Sequence, residues 1–340
     1  MAAKTKDNAL TRFSIGLSRL VALSLLFICV LDAVGTNVIA RAQNYPTRPV
    51  ELVVPFAAGG GTDVLARLLA DGLGRRLGQT FVVLNRPGAN TTIGTQSVVR
   101  SHPDGYTLVM ASIGLTANPT LYKNRPFEPL VDLAPISLIA NAPTILVVNP
   151  SLPVKSLAEF ITYLKSKPGE LNYASYGAGS GPHLAAELFQ FTTGTKMLHV
   201  PYGGGAPASF AVVSNDVQIL FSSVLPVLGL IRSGSVRPIA IAADRRLEIL
   251  PDVPTFLESG IAYKSGTWFG VLAPAKTPDA VVDRLQRGVV EVLRDPAVRT
   301  KIVDQGAEVV GNSPAEFRAF IKDEMDRLSI VIRNAKIELD

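Results

Sequence analysis

The feature that most constrains the fold is a short β-branched apolar run that ends in glycine and leads into a helical pattern. VELVVP (50–55) shows it first, since it runs into FAAGGGTD (56–63) and then into an amphipathic stretch. Comparable glycine-rich turns are NRPGAN (85–90), SYGAGSGPH (175–183) and PYGGGAP (201–207). Strands that alternate with helices in this way predict an α/β protein with parallel strands and right-handed crossovers.

The alternation occurs twice along the chain. The first unit has strands at 50–55, 80–85 and 106–112, and a helix at 64–77 with Thr62 or Asp63 as its N-cap. ISLIA (136–140) and TILVVN (144–149) follow as two strands, and the pattern restarts after Pro150. The tail resumes it with a strand at WFGVLAP and helices near 278–294 and 314–335. We therefore predict a discontinuous domain 1 at 43–149 plus 267–340, a domain 2 at 150–266, and two crossings between them.

The N-terminus is typical of an export signal. Lys4, Lys6, Arg12 and Arg19 precede the apolar run LVALSLLFICVL (20–31), and Ala40-Arg41-Ala42 fits signal peptidase. The run is too short for a permanent membrane span. We predict that 1–42 is a signal peptide cleaved near Ala42, which places the mature protein in the periplasm. Because Cys29 is the only cysteine, the mature chain has no disulfide.

Charge and histidine content weigh against several function classes. Five of the 33 basic and two of the 28 acidic residues lie in 1–42, which leaves 28 basic and 26 acidic residues and gives no reason to invoke nucleic acid. The three histidines, His102, His183 and His199, are too widely spaced to predict a metal site. No lysine follows Gly59–Gly61 as a Walker loop requires, and Pro182 interrupts a dinucleotide fingerprint at GAGSG. We therefore predict no cofactor.

The glycine turns favour a site for an anion. In α/β proteins ligands bind at the carboxyl ends of strands, where glycine lets successive N–H groups face one point beside a helix N-terminus. The stretches 56–62, 111–119, 175–182 and 201–207 contain no lysine or arginine. The donors must then be backbone N–H groups, water, the hydroxyls of Ser112, Thr116, Ser175 and Tyr202, and the amide of Asn118. Arg86 is the one cation near a turn, and loop packing explains it equally well.

Taken together, these segments resemble the tripartite tricarboxylate transporter substrate-binding proteins, also called Bug receptors. The similarity extends from about Tyr45 to the C-terminus and includes YPTRPVELVVPFAAGGGTD, NRPGAN, HPDGYTLVMAS, HVPYGGGAPA and RRLEILPDVPTFLESG. The resemblance implies a two-domain periplasmic-binding-protein (Venus flytrap) fold whose cleft closes on a small carboxylate, often through water. It also implies two integral membrane transporter subunits as partners; we expect a monomer.

The predicted ligand-binding set joins the turn residues to the neutral donors. It comprises Phe56, Ala57, Gly59, Gly60, Thr62, Ser112, Thr116, Asn118, Ser175, Tyr176, Gly177, Gly179, Gly181, His183, Tyr202 and Gly203. The sequence departs from the family pattern in three places: Gly203 stands where PYKG has lysine, FAVV (210–213) stands where an Asp-Leu pair is usual, and NDVQ (215–218) stands for Gly-Gln-Val-Asp. These departures leave the exact ligand open. The alternatives are an exported α/β enzyme acting on a carboxylate or ester, and an orphan receptor used in sensing. The enzyme would depend on His183, for which the sequence offers no evident acidic partner.

Overall fold

A computed structural model describes residues 45–339. The predicted signal peptide at 1–42 lies outside the described residues. The chain divides into two compact units, Met1–Thr47 and Arg48–Asp340. The strands and helices that the structure describes lie in the second unit.

Ten strands and eleven helices make up this unit as the structure describes it. The strands are β1 (Val50–Val54), β2 (Phe81–Asn85), β3 (Thr107–Ala111), β4 (Leu133–Val148), β5 (Asn172–Ser175), β6 (Leu198–Pro201), β7 (Ile219–Ser223), β8 (Arg237–Ile241), β9 (Gly266–Pro274) and β10 (Glu308–Val309). The helices are α1 (Gly61–Leu77), α2 (Thr92–Val99), α3 (Gly114–Leu121), α4 (Pro129–Asp132), α5 (Leu157–Ser166), α6 (Gly181–Thr193), α7 (Gly205–Val213), α8 (Leu225–Arg232), α9 (Asp279–Arg294), α10 (Pro296–Val303) and α11 (Pro314–Ala335).

The strands form two groups that share β4. In the first group β1 lies between β2 and β3, and all three are parallel. β9 is antiparallel to both β3 and β4, and β10 is antiparallel to β4. In the second group β5 lies between β6 and β7 in parallel, while β7 and β8 are antiparallel to β4. The parallel strands are those predicted from the alternation with helices, and β4, β8, β9 and β10 add antiparallel pairs.

β4 is one strand where the sequence predicted two. It pairs with β9 from Leu133 to Pro143 and with β7 from Thr144 to Val148, so the change of partner falls at 143/144. The other crossing enters β9 at Gly266, which is paired with Pro143. The Thr144 N–H donates to the Ser265 carbonyl at 3.0 Å, so the two crossings lie side by side. The change of partner precedes the boundary predicted at 149/150, and the division into 43–149 plus 267–340 and 150–266 stays a prediction.

Apolar side chains from strands and helices bury both groups of strands. Phe160, Phe189 and Phe221 pack on one face of the second group, and Val212 and Leu220 belong to the cluster on its other face. A separate cluster connects the two groups: Ile113, Ala117, Leu121, Leu184, Leu328 and Ile332 are all buried in it. Burying one such side chain contributes about 1.5–3 kcal/mol. The last helix, α11, is thus held against both α3 and α6.

Two helix predictions need correction. Helix α1 begins at Gly61 and its N-cap is Gly60, so neither Thr62 nor Asp63 is the N-cap. Helix α3 was not predicted from the sequence. It begins at Gly114 and contains Pro119, and both residue types disfavour a helix. Burial of Leu115, Ala117 and Leu121 outweighs those propensities. Among residues 45–339, none of the helices is both long and apolar enough to cross a membrane.

Candidate functional site

Six helices begin shortly after parallel strands end. Helices α1, α2 and α3 follow β1, β2 and β3, and α6, α7 and α8 follow β5, β6 and β7. Within the described part of the chain, none of these six N-termini has a side-chain cap. Of the other helices, α5, α10 and α11 are capped by Ser156, Asp295 and Ser313. Helices α4 and α9 also lack a side-chain cap. The first N–H groups of a helix carry positive potential and often have no backbone acceptor, so the starts of α1, α6 and α7 offer donors to an anion. At the starts of α2, α3 and α8 some of these N–H groups already donate to nearby carbonyls, as Thr92 does to Ala89, Leu115 to Ser112 and Val227 to Val224.

Close contacts bring the helix starts of the two strand groups together. A Cβ placed on Gly61 would lie 3.9 Å from Leu225 Cδ2, which joins the start of α1 to the start of α8. A Cβ on Gly179 would lie 3.4 Å from Asn90 Nδ2, and one on Gly181 would lie 3.6 Å from Ile113 Cγ2. The turns of the two groups therefore face each other, and the region between them is the candidate site.

A carboxylate within the turn, that of Asp63, holds the Gly59 turn (residues 56–63) in its conformation. Gly59 has φ +86° and donates its N–H to Asp63 Oδ2 at 2.9 Å. The same carboxylate accepts from Arg67 Nε at 3.0 Å and from Asn85 Nδ2 at 2.9 Å. Burial raises the pKa of Asp63, but the hydrogen bonds from Arg67, Gly59 and Asn85 outweigh it and hold the pKa below its usual value. Asp63 therefore stays ionised, and Arg67 is paired with it.

The Gly179 turn (residues 175–183) is fixed by an imidazole instead. Gly179 has φ +72° and donates its N–H to His183 Nδ1 at 3.0 Å. The ring of His183 stacks on His199, with 3.9 Å between centroids and 11° between planes. His199 Nε2 lies 2.6 Å from Ser175 Oγ, which accepts the Gly177 N–H at 3.1 Å. Burial and the neighbouring His199 lower the pKa of His183 to about 3, so the imidazole is neutral near pH 7.

Most of the neutral donors predicted near β3 already form hydrogen bonds with other residues of the protein. The Asn118 amide accepts from Asn90 Nδ2 at 2.8 Å and donates to the Asn90 carbonyl at 2.7 Å, so it links two turns. The Thr116 hydroxyl donates to the Ile113 carbonyl at 2.9 Å. Ser112 differs, because it is 2% exposed and its hydroxyl has no hydrogen-bond partner among the described residues. A buried hydroxyl without a partner costs free energy, so a ligand or a water is expected there.

Two tyrosines stand beside the Gly179 turn. The Tyr176 hydroxyl lies 2.5 Å from Ser222 Oγ, and burial raises the pKa of Tyr176 to about 12 despite that hydrogen bond. A Cβ placed on Gly205 would lie 3.4 Å from the Tyr176 ring. The Tyr202 N–H donates to the Ser175 carbonyl at 3.0 Å, which ties the turn at 201–205 to the Gly179 turn. Tyr176 and Tyr202 both pack against a core cluster and supply apolar wall.

The predicted residues thus fall into two kinds of position. Those on the open turns are Phe56, Ala57, Gly59, Gly60, Tyr176, Gly177, Gly181, Tyr202 and Gly203, all exposed or half-buried. Those that are buried are Thr62, Ser112, Thr116, Asn118, Ser175, Gly179 and His183. Sequence reasoning missed Asp63, Asn85 and Asn90 as supports of the turns. The position of the last two in NRPGAN, directly after a strand, was the available signal.

No metal or nucleophile emerges from the described geometry. Residues 45–339 contain no group of His, Cys, Asp and Glu side chains that could hold a metal ion. Ser175 and His199 are within hydrogen-bond distance, as in a nucleophile–base pair, but Ser175 is 0% exposed. Its hydroxyl also accepts from Gly177 and lies 3.0 Å from the Gly177 carbonyl. The pair therefore supports the turn and cannot reach a substrate.

Comparison with known proteins identifies the family of this chain. Residues 65–337 match the model of the tripartite tricarboxylate transporter family receptor. Protein BugT of Bordetella pertussis is 38% identical over 330 residues, which is 95% of this chain and 99% of that protein. The structure of R. palustris Rpa4515 with adipate superposes with a TM-score of 0.80 at 36% identity, covering 86% of this chain and 99% of that one. MatC (Rpa3494) from Rhodopseudomonas palustris with bound malate gives a TM-score of 0.77 at 32% identity, covering 85% and 100%.

The fold and the open helix ends define a solute-binding receptor with the two-domain periplasmic-binding-protein fold. The chain belongs to the tripartite tricarboxylate transporter receptor family. It is a receptor and not an enzyme, which removes the hydrolytic alternative. The resemblance noted from the sequence motifs is confirmed.

Proposed function

We propose that this receptor binds a small carboxylate between the Gly59 turn and the Gly179 turn. The observation that carries the proposal is the set of six uncapped helix N-termini, whose turns meet at Gly61–Leu225 and Gly179–Asn90. Backbone N–H groups, the Ser112 hydroxyl and ordered water are the donors. Charge-assisted hydrogen bonds of this kind are stronger than neutral ones, so several of them hold a carboxylate without a lysine or an arginine.

The ligand is a carboxylate rather than a phosphate ester. A phosphate monoester carries almost two charges near pH 7 and its sites usually recruit Arg or Lys. Three of the four glycine turns, at 56–63, 175–183 and 201–207, have neither, and Arg67 is paired with Asp63. The fourth, NRPGAN, carries Arg86. The structures of two relatives with adipate and with malate support aliphatic dicarboxylates as first candidates. Phe56, Tyr176 and Tyr202 favour an apolar body, which adds monocarboxylates and aromatic acids to the range.

The receptor works as a monomer in the periplasm after 1–42 is removed, and delivers its ligand to two integral membrane subunits. We place the moving bodies at 43–149 plus 267–340 and at 150–266. The side-by-side crossings at Thr144 and Ser265 support a hinge there. An orphan receptor used in sensing would bind the same ligand without those membrane partners.

A thermal-shift panel tests the ligand class. It contains adipate, malate, benzoate, an amino acid and glucose 6-phosphate, each added to the mature protein. A ligand at about 100 times its dissociation constant adds about 2.7 kcal/mol to the free energy of unfolding. We expect stabilisation by at least one carboxylate and none by the phosphate ester. Stabilisation by the phosphate ester alone would refute the proposal.

Gly60→Val tests the position of the site. Gly60 has φ −79°, and a Cβ there meets only the Ala57 carbonyl at 3.8 Å, so the fold tolerates a side chain. The side chain would project where a ligand approaches the Gly59 turn, and loss of one charge-assisted hydrogen bond weakens binding about 10- to 150-fold. Gly229→Val in α8 is the matched control, since a Cβ there meets nothing within 4 Å. Equal affinity of both variants by calorimetry would place the site elsewhere.

A further inference from the structure

The histidine stack is a titratable cluster beside the site that direct ligand contact does not explain. His183 is 7% exposed, and its Nδ1 is occupied by the Gly179 N–H. Gly179 itself is buried, and a Cβ there would lie 2.8 Å from Leu121 Cδ1. His183 therefore acts on the turn that faces the ligand, and not on the ligand.

The hydrogen bond fixes the tautomer of His183. Because Nδ1 accepts from Gly179, the proton of the neutral ring is on Nε2. Nε2 lies 3.9 Å from Glu187 Oε1, which also accepts from the Tyr173 hydroxyl at 2.6 Å and from Gln190 Nε2 at 2.8 Å. A second proton would occupy Nδ1 and put two donors opposite each other at Gly179. Protonation of His183 thus removes the acceptor that holds the turn.

The groups around the stack come from four elements. Tyr173 on β5 lies with its ring centroid 6.3 Å from that of His183 and 5.0 Å from that of His199 on β6. Glu187 is on the same helix as His183, one turn further on. Helix α11 packs against α6 and carries the Glu324–Arg327 ion pair at 2.8 Å. Glu187 is a partly buried carboxylate 3.9 Å from the ring nitrogen Nε2, and it already accepts two hydrogen bonds.

We propose that His183 and His199 are positioning residues that hold the Gly179 turn in its ligand-binding conformation. His183 does so through Gly179, and His199 through Ser175 and Gly177. The inference rests on the proposed function, since the turn must meet a ligand for its conformation to change affinity. A turn that is only partly in the competent conformation lowers the apparent affinity by that fraction. Acid then weakens binding, because protonated His183 cannot accept.

His183→Asn and His183→Leu separate positioning from packing. Asn places its Oδ1 near the position of Nδ1 and keeps an acceptor, whereas Leu fills the volume without one. Leaving the buried Gly179 N–H without an acceptor is expected to weaken binding of adipate or malate about 5- to 100-fold, with Asn restoring most of the loss. The exposed His102→Leu is the control and leaves affinity unchanged. Equal affinities for the wild type and His183→Leu would overturn the inference.

The pH dependence of binding distinguishes positioning from packing, because a side chain that only fills space would act equally at every pH. The ratio of dissociation constants, His183→Asn over wild type, is measured at each pH, so that protonation of the ligand cancels. We expect this ratio to fall as the pH is lowered towards the folded pKa of His183, about 3, because the wild type loses its acceptor there and Asn does not. A ratio that stays constant with pH contradicts the acid-sensitive part of the proposal.

A third measurement does not depend on any ligand. Nitrogen NMR of the histidine rings reports which nitrogen carries the proton, and hydrogen exchange reports the Gly179 N–H. We expect a His183 ring protonated at Nε2 and a slow Gly179 amide that exchanges at least 10-fold faster in His183→Leu. If no panel compound binds the wild type while these results hold, the proposed function fails and the support of the turn stands. A His183 ring protonated at Nδ1 overturns the inference by itself.

Discussion

The Gly59 turn and the Gly179 turn are the same local structure built with opposite chemistry. In each, a left-handed glycine donates its N–H to a side chain four residues further on, Asp63 in one and His183 in the other. In each, that side chain also contacts a residue on the neighbouring edge strand, Asn85 on β2 or His199 on β6. The sequence shows this only as a coarse two-fold repeat of strand, glycine turn and helix.

The difference lies in how each acceptor depends on acid. Asp63 is a charged acceptor whose pKa is lowered by Arg67, Gly59 and Asn85 against the effect of burial. His183 is a neutral acceptor, and it accepts only while its second nitrogen is unprotonated. Both acceptors persist in mild acid in the folded state, but the stability that depends on His183 falls below pH 6.5, whereas that of Asp63 falls only below about pH 3.8.

The largest expected effect comes from removing the Asp63 carboxylate that holds the Gly59 turn. Asp63→Ala leaves the Gly59 N–H, the Asn85 amide and Arg67 without their shared acceptor. Since Arg67 is half exposed and regains water, we expect a loss of about 2–4 kcal/mol in the free energy of unfolding. Urea denaturation measures it, with Asp71→Ala as control because its ion pair with Arg75 is exposed. A loss under about 0.5 kcal/mol would mean that the turn holds itself without the carboxylate.

The second-largest expected effect is a difference in how the stability contributed by the two turns depends on pH. The folded pKa of His183, about 3, lies below the unfolded value of 6.5, so the unfolded chain binds more protons and stability falls as pH drops below 6.5. Asp63 contributes in the other window, since its lowered pKa costs stability only below about pH 3.8. Between pH 7 and pH 5 we expect a loss of about 1–2 kcal/mol in the wild type and a smaller loss in His183→Asn. Parallel pH curves for the two proteins would show that His183 titrates normally.

The smallest expected effect is on the preference of the site for a dicarboxylate over a monocarboxylate. Gly203 is exposed, a Cβ there meets nothing within 4 Å, and the family pattern PYKG has lysine at this position. Gly203→Lys is expected to tighten binding of a dicarboxylate about 2- to 5-fold over the matching monocarboxylate, as an exposed charge pair allows. Calorimetry with adipate and hexanoate at low and high salt measures it. A gain that is equal for both ligands, or that persists in high salt, would contradict a charge effect.

The sequence predicted the repeated unit but not all its surroundings. Strands β1, β2 and β3 and the helix α1 fall within a few residues of their predicted positions, because each is marked by β-branched runs and glycine. The helix α3 was missed, since burial of Leu115 and Leu121 outweighs the local cost of Pro119. At the site, Asn118 was predicted as a donor to ligand, whereas the structure pairs its amide with Asn90 and Thr92.

By itself the sequence determined the class of protein, the order of strand, glycine turn and helix, and the absence of cations from three of the four glycine turns. Those properties are local, because they depend on residue type and short spacing. Only the tertiary structure decided that Asp63 and His183 fill equivalent positions and that His199 stacks on His183. It also decided that β4 passes through both strand groups. Such relations join residues far apart in the chain, and they exist only once strand pairing and burial have brought those residues within a few ångströms.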